Sequence, residues 1–217
     1  MRVVEIFKSI DGEGKRAGLP TVFIRLYGCN LNCSYCDTLY GCAGDNYKLM
    51  SVSEIMDVVN KFAIPSVTVT GGEPLVHPGI HTLISSLTSN GYHVNIETNG
   101  SKRLPSSWRK KNKLFYTMDY KCPSSKMERL MCMENLEPGV LKKKDVLKFV
   151  VGSQEDLERA RYIIETYEPV AKIYFSPVFG KIEPREIVDF LLENKLHHCR
   201  VQVQLHKIIW DPKERGV

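Results

Sequence analysis

The stretch YGCNLNCSYCDT, Tyr27 to Thr38, places three cysteines, Cys29, Cys33 and Cys36, within eight residues. It follows directly on FIRLYG, an apolar run that reads as a core strand, so the thiols leave from a strand end. The C-x3-C-x2-C spacing lets one short loop wrap its sulfurs around a single compact metal centre. A structural zinc site takes four ligands, often as two separated C-x2-C pairs, and no matching second pair follows. Three thiolates suit a [4Fe–4S] cluster held at three irons, with the fourth iron open to a cofactor. Two other readings stand beside it: a zinc site completed by a distant His or Cys, and simple buried thiols.

Outward from this loop, short apolar runs alternate with amphipathic segments. Strands are expected at Thr21–Tyr27, Ser66–Thr70, Tyr92–Glu97, Leu114–Asp119, Val146–Val151, Lys172–Ser176 and Arg200–Leu205, each rich in Val, Ile, Tyr or Phe. Helical patterns lie between them, near Ser53–Val59, His81–Ser89, Ser153–Thr166 and Pro184–Asn194. Strand–helix alternation predicts parallel strands joined by right-handed crossovers. A full eightfold barrel needs about 250 residues, and the chain has 217. The expectation is an α/β fold with an incomplete, open barrel, in one domain spanning 1–217. Ligands should then sit at the carboxyl ends of the strands. The irregular segment 122–144, rich in Met, Lys and Glu, reads as a possible insertion.

Composition narrows the class. Apolar residues make up 43% and charged residues 25%, as in ordinary globular chains. No apolar run approaches the length that spans a bilayer, and MRVVEIFKSIDGEG lacks the apolar core of a signal peptide. A cytoplasmic location is expected. Seven cysteines, an odd number in a reducing compartment, argue against a disulfide framework and for metal or redox chemistry. The net charge of +5 raises nucleic-acid binding, but the basic runs WRKKNK and LKKKD carry no interleaved aromatics. They read as solvated surface, with no membrane partner and no direct nucleic-acid partner. Cys42, Cys122, Cys132 and Cys199 are scattered and read as small hydrophobes.

The cysteine motif, with aromatic Tyr35 before its last Cys, resembles that of the radical S-adenosylmethionine superfamily. Thr70-Gly71-Gly72-Glu73-Pro74, ending the next expected strand, resembles the superfamily's second element, which holds the methionyl amino group. Three further features narrow the resemblance. Ser9-Ile10-Asp11-Gly12-Glu13-Gly14 precedes the first core strand, which contains Arg25. Thr38 stands two residues after the last cluster cysteine. Gln204-Leu205-His206-Lys207 stands near the C-terminus. This set resembles the 7-carboxy-7-deazaguanine synthase family, from about Val4 to the C-terminus.

The resemblance implies a β6/α3-like partial barrel, a homodimer and a lyase that converts 6-carboxy-5,6,7,8-tetrahydropterin to 7-carboxy-7-deazaguanine with loss of ammonia. The route is 7-deazapurine, queuosine-type, biosynthesis. It implies a [4Fe–4S] cluster on Cys29, Cys33 and Cys36, S-adenosylmethionine, and Mg2+ at Thr38. A flavodoxin or ferredoxin would supply the electron. Ile10, Asp11, Gly12, Glu13, Arg25, Thr70 and His206 correspond to substrate positions. Tyr35, Cys36, Asp37, Gly72, Asp119, Tyr120, Lys121 and Ser176 correspond to cofactor positions. Thr98 and Asn99 face the same rim or form a plain turn with Gly100. Asp11 departs from a common Gln, and Asp119-Tyr120-Lys121 from a common Ser-Pro-Lys. A glycyl-radical activase and a non-catalytic zinc-binding module are the alternatives.

Overall fold

Alternation of apolar and polar side chains along the strands builds this molecule. A computed structural model gives the structure of residues 1–42, 44–211 and 214–216. β1 (Arg2–Ile10) pairs antiparallel with β2 (Pro20–Leu26), and β3 (Lys48–Leu49) pairs antiparallel with β1's other edge. β4 (Ser66–Gly71), β5 (His93–Thr98), β6 (Leu114–Lys121), β7 (Val146–Val151), β8 (Lys172–Pro177) and β9 (Cys199–Val201) then follow β2, each parallel to the last. The sheet order begins at β3 and ends at β9, so the barrel is open.

Helix α1 (Val52–Phe62) joins β2 to β4 by way of β3, α2 (Ile80–Ser89) joins β4 to β5, and α3 (Gln154–Tyr167) joins β7 to β8. Strands β2 and β4 to β8 with these three helices are the expected β6/α3-like unit. α4 (Pro184–Glu193) and β9 extend it, and the single turn α5 (His206–Ile209) is the last helix among the described residues. α1, α3 and α4 each start on local chemistry. Ser51 and Glu54 form a reciprocal capping box at α1, two residues before the start expected from the sequence. Ser153 caps α3, and Pro184 occupies the first turn of α4.

The strands put their apolar positions outward. Val67, Val69, Val94, Ile96, Met118, Leu147, Phe149, Ile173 and Phe175 are buried in the core, together with Ile55, Val59, Leu83, Leu87, Leu157 and Ile163 of the helices. At period two, the intervening residues must face the concave side. Those are Arg25, Thr68, Thr70, Asn95, Glu97, Thr117, Asp119, Lys121, Lys148 and Ser176. The concave side is therefore buried yet polar, an arrangement that stability alone does not favour.

Residues 122–144 connect β6 to β7 through three 3-10 turns, Pro123–Ser125, Glu128–Leu130 and Met133–Leu136. They bury Cys122, Met131, Leu136, Val140 and Leu141 in the core, filling the place of a crossover helix. No membrane-crossing helix occurs among the described residues.

The turn between β1 and β2 plugs the barrel floor. Arg16 Nε donates to Asp11 Oδ2 at 2.6 Å, its terminal nitrogens reach the His93 carbonyl at 2.9 Å and Thr68 Oγ1 at 2.7 Å, and Thr68 donates to Asp11 Oδ1 at 2.8 Å. Asp11 is 2% exposed. Arg16→Met should cost about 3–5 kcal/mol at neutral pH, because it leaves a buried carboxylate without its cation. Burial already pushes the Asp11 carboxyl up, and Arg16 opposes this. Without Arg16 the folded protein binds the Asp11 proton more tightly than the unfolded chain does. Stability of the variant should then rise as pH falls toward the ordinary carboxylate value. Urea unfolding at about pH 5 and about pH 8 checks this, and an equal loss at both would contradict it.

Candidate active site

β2 ends at Leu26, and the cysteine loop leaves from the rim of the polar face. Its path is fixed by three main-chain bonds and one tyrosine hydroxyl. Gly28 N–H donates to the Gly41 carbonyl at 2.8 Å, and Glu73 N–H donates to the Gly28 carbonyl at 2.9 Å. Ser34 N–H donates to the Ser125 carbonyl at 3.1 Å, and the Tyr35 hydroxyl reaches the Val150 carbonyl at 3.4 Å. The loop is thus clamped by the ends of β4, β6 and β7.

The two glycines of the TGGEP element act against this loop. A Cβ on Gly72 would fall far inside contact with the Gly28 carbonyl and 2.7 Å from the Cys29 nitrogen. A Cβ on Gly71 would fall 2.8 Å from the Leu26 carbonyl carbon. Their role is close approach of main chain to main chain, which only glycine permits. Gly72→Ala should therefore displace the Cys29 end of the loop and leave iron incorporation well below wild type, measured as iron per chain. Full iron content in that variant would contradict the packing argument. Glu73, fully buried, joins the ends of β4 and β5. It accepts from Leu75 N–H at 2.9 Å, Thr98 Oγ1 at 2.8 Å and Asn99 N–H at 2.6 Å.

The donor chemistry fits an iron–sulfur cluster. Cys29, Cys33 and Cys36 are free and partly exposed. The Cys29 sulfur accepts from Leu31 N–H at 3.4 Å and from Asn99 Nδ2 at 3.5 Å, contacts that suit a thiolate. Cys36 Sγ and Thr38 Oγ1 lie 3.7 Å apart. Among the described residues no three His, Cys, Asp or Glu side chains converge on the volume of a single metal ion. Cys42 lies beside this set, and burial, with the Cys29 and Cys36 sulfurs nearby, pushes its thiol up to about 11. It is a protonated neighbour, not the isolated small hydrophobe that its sequence position suggested.

Beside the loop runs a chain of buried and partly buried charges. Lys148 Nζ bridges Glu13 Oε2 at 3.0 Å and Asp119 Oδ1 at 3.1 Å, and Lys121 Nζ holds Asp119 Oδ2 at 2.8 Å. The Ser176 hydroxyl donates to Glu13. Thr70 Oγ1 donates to Glu97 Oε2 at 2.9 Å. Burial pushes the Asp119 carboxyl up, yet Lys121 and Lys148 outweigh it and hold the group below its ordinary value. Burial pushes Glu97 up, against the opposing charge of Lys148. Arg25 Nε donates to Glu5 Oε1 at 2.7 Å, and the Tyr40 hydroxyl donates to the same oxygen at 3.1 Å.

The two ends of the chain meet at this network. Leu205 N–H donates to the Gly12 carbonyl at 3.0 Å, and Gly14 N–H donates to Gln202 Oε1 at 2.7 Å. A Cβ on Gly12 would collide with the His206 ring. Burial lowers the His206 pKa, so the imidazole beside Glu13 stays neutral at pH 7. Lys207 reaches Asp37 of the cysteine loop at 3.2 Å.

Most residues expected from the sequence lie in the cysteine loop and the polar network described above, and three are placed otherwise. Asp11 lies on the barrel floor with both carboxylate oxygens bound internally, and its main chain is bonded to Gly18 and Leu19. Tyr120 follows the strand alternation outward, packing on Phe149 and donating to Glu128 at 2.7 Å. Ile10 ends β1 opposite Pro20. Any contact by Tyr120 with a cofactor would come from its main chain. Lys148, Glu97, Glu5 and Tyr40 were not singled out from the sequence.

The comparisons with known proteins agree with this architecture. The Radical SAM superfamily description matches residues 23–110. A Clostridium acetobutylicum protein named 7-carboxy-7-deazaguanine synthase is 48% identical over 220 residues, covering 100% of this chain and 99% of its own. This chain belongs to the 7-carboxy-7-deazaguanine synthase family. A second member, from Chlorobaculum tepidum, is 39% identical over 100% of this chain and 97% of its own. The crystal structure of QueE from Escherichia coli superposes with a TM-score of 0.75 at 22% identity, over 94% of this chain and 93% of that one, and shows the same fold. Membership of the synthase family makes the chain a radical S-adenosylmethionine enzyme with a [4Fe–4S] cluster and a small-molecule substrate. The activase and zinc-module alternatives are not favoured.

Proposed function

We propose that the chain converts 6-carboxy-5,6,7,8-tetrahydropterin to 7-carboxy-7-deazaguanine with loss of ammonia, in 7-deazapurine biosynthesis. The observation that carries this reading is full-length kinship with relatives of that name at up to 48% identity among those compared.

Cys29, Cys33 and Cys36 would hold the cluster, and Gly72, Asp119 and Lys121 would hold S-adenosylmethionine beside Tyr35, Asp37 and Ser176. When bound, these groups supply hydrogen-atom abstraction from the substrate. The protein's own residues bind and orient. Glu5 and Tyr40 fix the Arg25 guanidinium from one side, so that the rest of its fork is offered to the pterin carboxylate. Thr70, Gly12, Glu13 and His206 would border the pterin ring, with Asp11 acting beneath them through Arg16 and Thr68. Neutral His206 can both donate and accept a hydrogen bond.

Mg2+ would bind at Thr38 with few protein oxygens, sharing substrate oxygens and waters, as this ion commonly does. A homodimer is supported by exposed apolar side chains on the C-terminal segments, Phe179, Ile208 and Ile209. A flavodoxin or ferredoxin is the proposed reductant, and the whole chain is read as one working unit.

The test is anaerobic turnover of the carboxypterin with S-adenosylmethionine, Mg2+ and dithionite. A product with the mass of 7-carboxy-7-deazaguanine is expected, with ammonia released in equal amount. Reconstituted protein that cleaves S-adenosylmethionine yet leaves the pterin unchanged would overturn the substrate assignment.

A further inference from the structure

Asn99 follows the end of β5, in a sequence, Thr98-Asn99-Gly100-Ser101, that forms a turn. The turn does not use up the side chain. Asn99 Oδ1 accepts from Ser101 N–H at 2.9 Å and from Ser101 Oγ at 2.6 Å. A main-chain N–H can only donate, so the oxygen of the amide is assigned by its partner. The nitrogen must then point the other way. There it meets Cys29 Sγ at 3.5 Å and Asn30 Oδ1 at 3.2 Å. The backbone is held as firmly, because Asn99 N–H donates to fully buried Glu73 at 2.6 Å. Asn30 closes the ring by donating to Ser101 Oγ at 2.8 Å. Asn99 itself is 7% exposed. Among the described residues, no side-chain amide reaches Cys33 or Cys36.

We propose that Asn99 is a positioning residue for electron transfer: its amide N–H, aimed by the Ser101 turn and the Glu73 anchor, donates to the Cys29 thiolate and makes the cluster on that sulfur easier to reduce. This rests on the cluster reading above. The physics is that of a hydrogen bond to a cluster sulfur. The reduced cluster carries one more negative charge, so a donor at its ligand stabilises the reduced form more than the oxidised one. The same contact orients Cys29 for assembly, but the effect on potential is separable from it.

The separating variant is Asn99→Asp. An aspartate keeps an oxygen for the Ser101 N–H, so the turn survives, while the donor to Cys29 is lost and a negative charge takes its place. Asn99→Ala removes the donor without adding charge. Both variants and the wild type would be reconstituted anaerobically, assayed for iron and sulfide, and titrated by EPR without substrate. With wild-type iron and sulfide in each, the reduction equilibrium constant should fall about tenfold in Asn99→Asp, a shift of about 59 mV to lower potential. Asn99→Ala should shift in the same direction by less. Equal potentials in loaded wild type and both variants would overturn the proposal while leaving the cluster reading intact. Should Asn99→Asp fail to take up iron, Asn99→Ala alone decides, and an unshifted potential there overturns it. Absence of iron and sulfide from the wild type would overturn the cluster reading, and this proposal with it.

Discussion

Cys33→Ala should yield a folded, colourless protein with iron and sulfide well below wild type and no measurable turnover. Cys33 sits in the middle of the loop between Cys29 and Cys36, and burial pushes its thiol up against the opposing charge of Lys121. Only a bound metal or that lysine favours the thiolate there. Among the described residues Cys42 is a neighbouring thiol, and burial pushes it up to about 11, away from the thiolate that a ligand needs. Cys42→Ala should therefore leave iron content and turnover unchanged. The loss in Cys33→Ala should exceed about 10³-fold in rate, over 4 kcal/mol of transition-state stabilisation on a scale of about 1.36 kcal/mol per tenfold. Thermal unfolding of the apo-proteins should differ little, because the loop is fixed by main-chain bonds from Gly28, Ser34 and Glu73. A brown Cys33→Ala protein with full turnover would contradict the ligand assignment.

Lys148→Met should have the second largest effect. Its ammonium lies within 3.1 Å of carboxylate oxygens on both Glu13 and Asp119, and the residue is 8% exposed. Methionine preserves the length of the side chain and removes the charge. Two buried carboxylates would then face each other, with Lys121 left to compensate only Asp119. Stability should fall by about 3–5 kcal/mol, the usual cost of removing one partner from a buried pair. In protein that remains folded, kcat/KM should fall about 10²-fold, or about 2.7 kcal/mol. The useful readout is binding. Affinity for S-adenosylhomocysteine and for the pterin should weaken together, because one lysine holds a residue on each side of the cleft. A mere loss of folded protein would lower the amplitude of binding and leave both constants unchanged. That result would contradict a positioning role for Lys148.

Much of this fold was legible in the sequence because the strands carry two messages at once. In SVTVT and TMDYK every second residue is apolar and packs into the core outside the sheet, and Leu147, Phe149 and Val151 of the almost wholly apolar VLKFVV do the same. Strand boundaries moved by only a residue or two in β4 to β8. β1 was not singled out, because RVVEIFKSI mixes charge with apolar residues and needs its antiparallel partner β2 to become a strand. β9 stops at Val201: the last main-chain bond to β8 runs from Gln202 N–H to the Phe175 carbonyl at 2.9 Å, and the Gln202 side chain accepts from Gly14 N–H.

The candidate site was legible where chemistry was local. Three cysteines in one loop and the TGGEP turn could be read directly. Lys148 could not, since a lone lysine inside VLKFVV looks like a solvent-facing position until β6 supplies Asp119 beside it. Asp11 shows the reverse case. Its neighbours in sequence suggested a substrate contact, while Arg16 and Thr68 claim its carboxylate from positions that no spacing rule connects. Cys42 returns to Cys29 because the Gly28–Gly41 bond folds the loop back on itself, which spacing alone does not reveal.

The central claim is a cluster with three protein thiolates and an open iron that takes S-adenosylmethionine. ENDOR spectroscopy of the reduced cluster, with S-adenosylmethionine labelled at its amino nitrogen and carboxylate oxygen, tests it most directly. Hyperfine coupling to both labels is expected, unchanged in Cys42→Ala. Absence of coupling in fully loaded protein, with a fourth protein ligand on the iron, would contradict it.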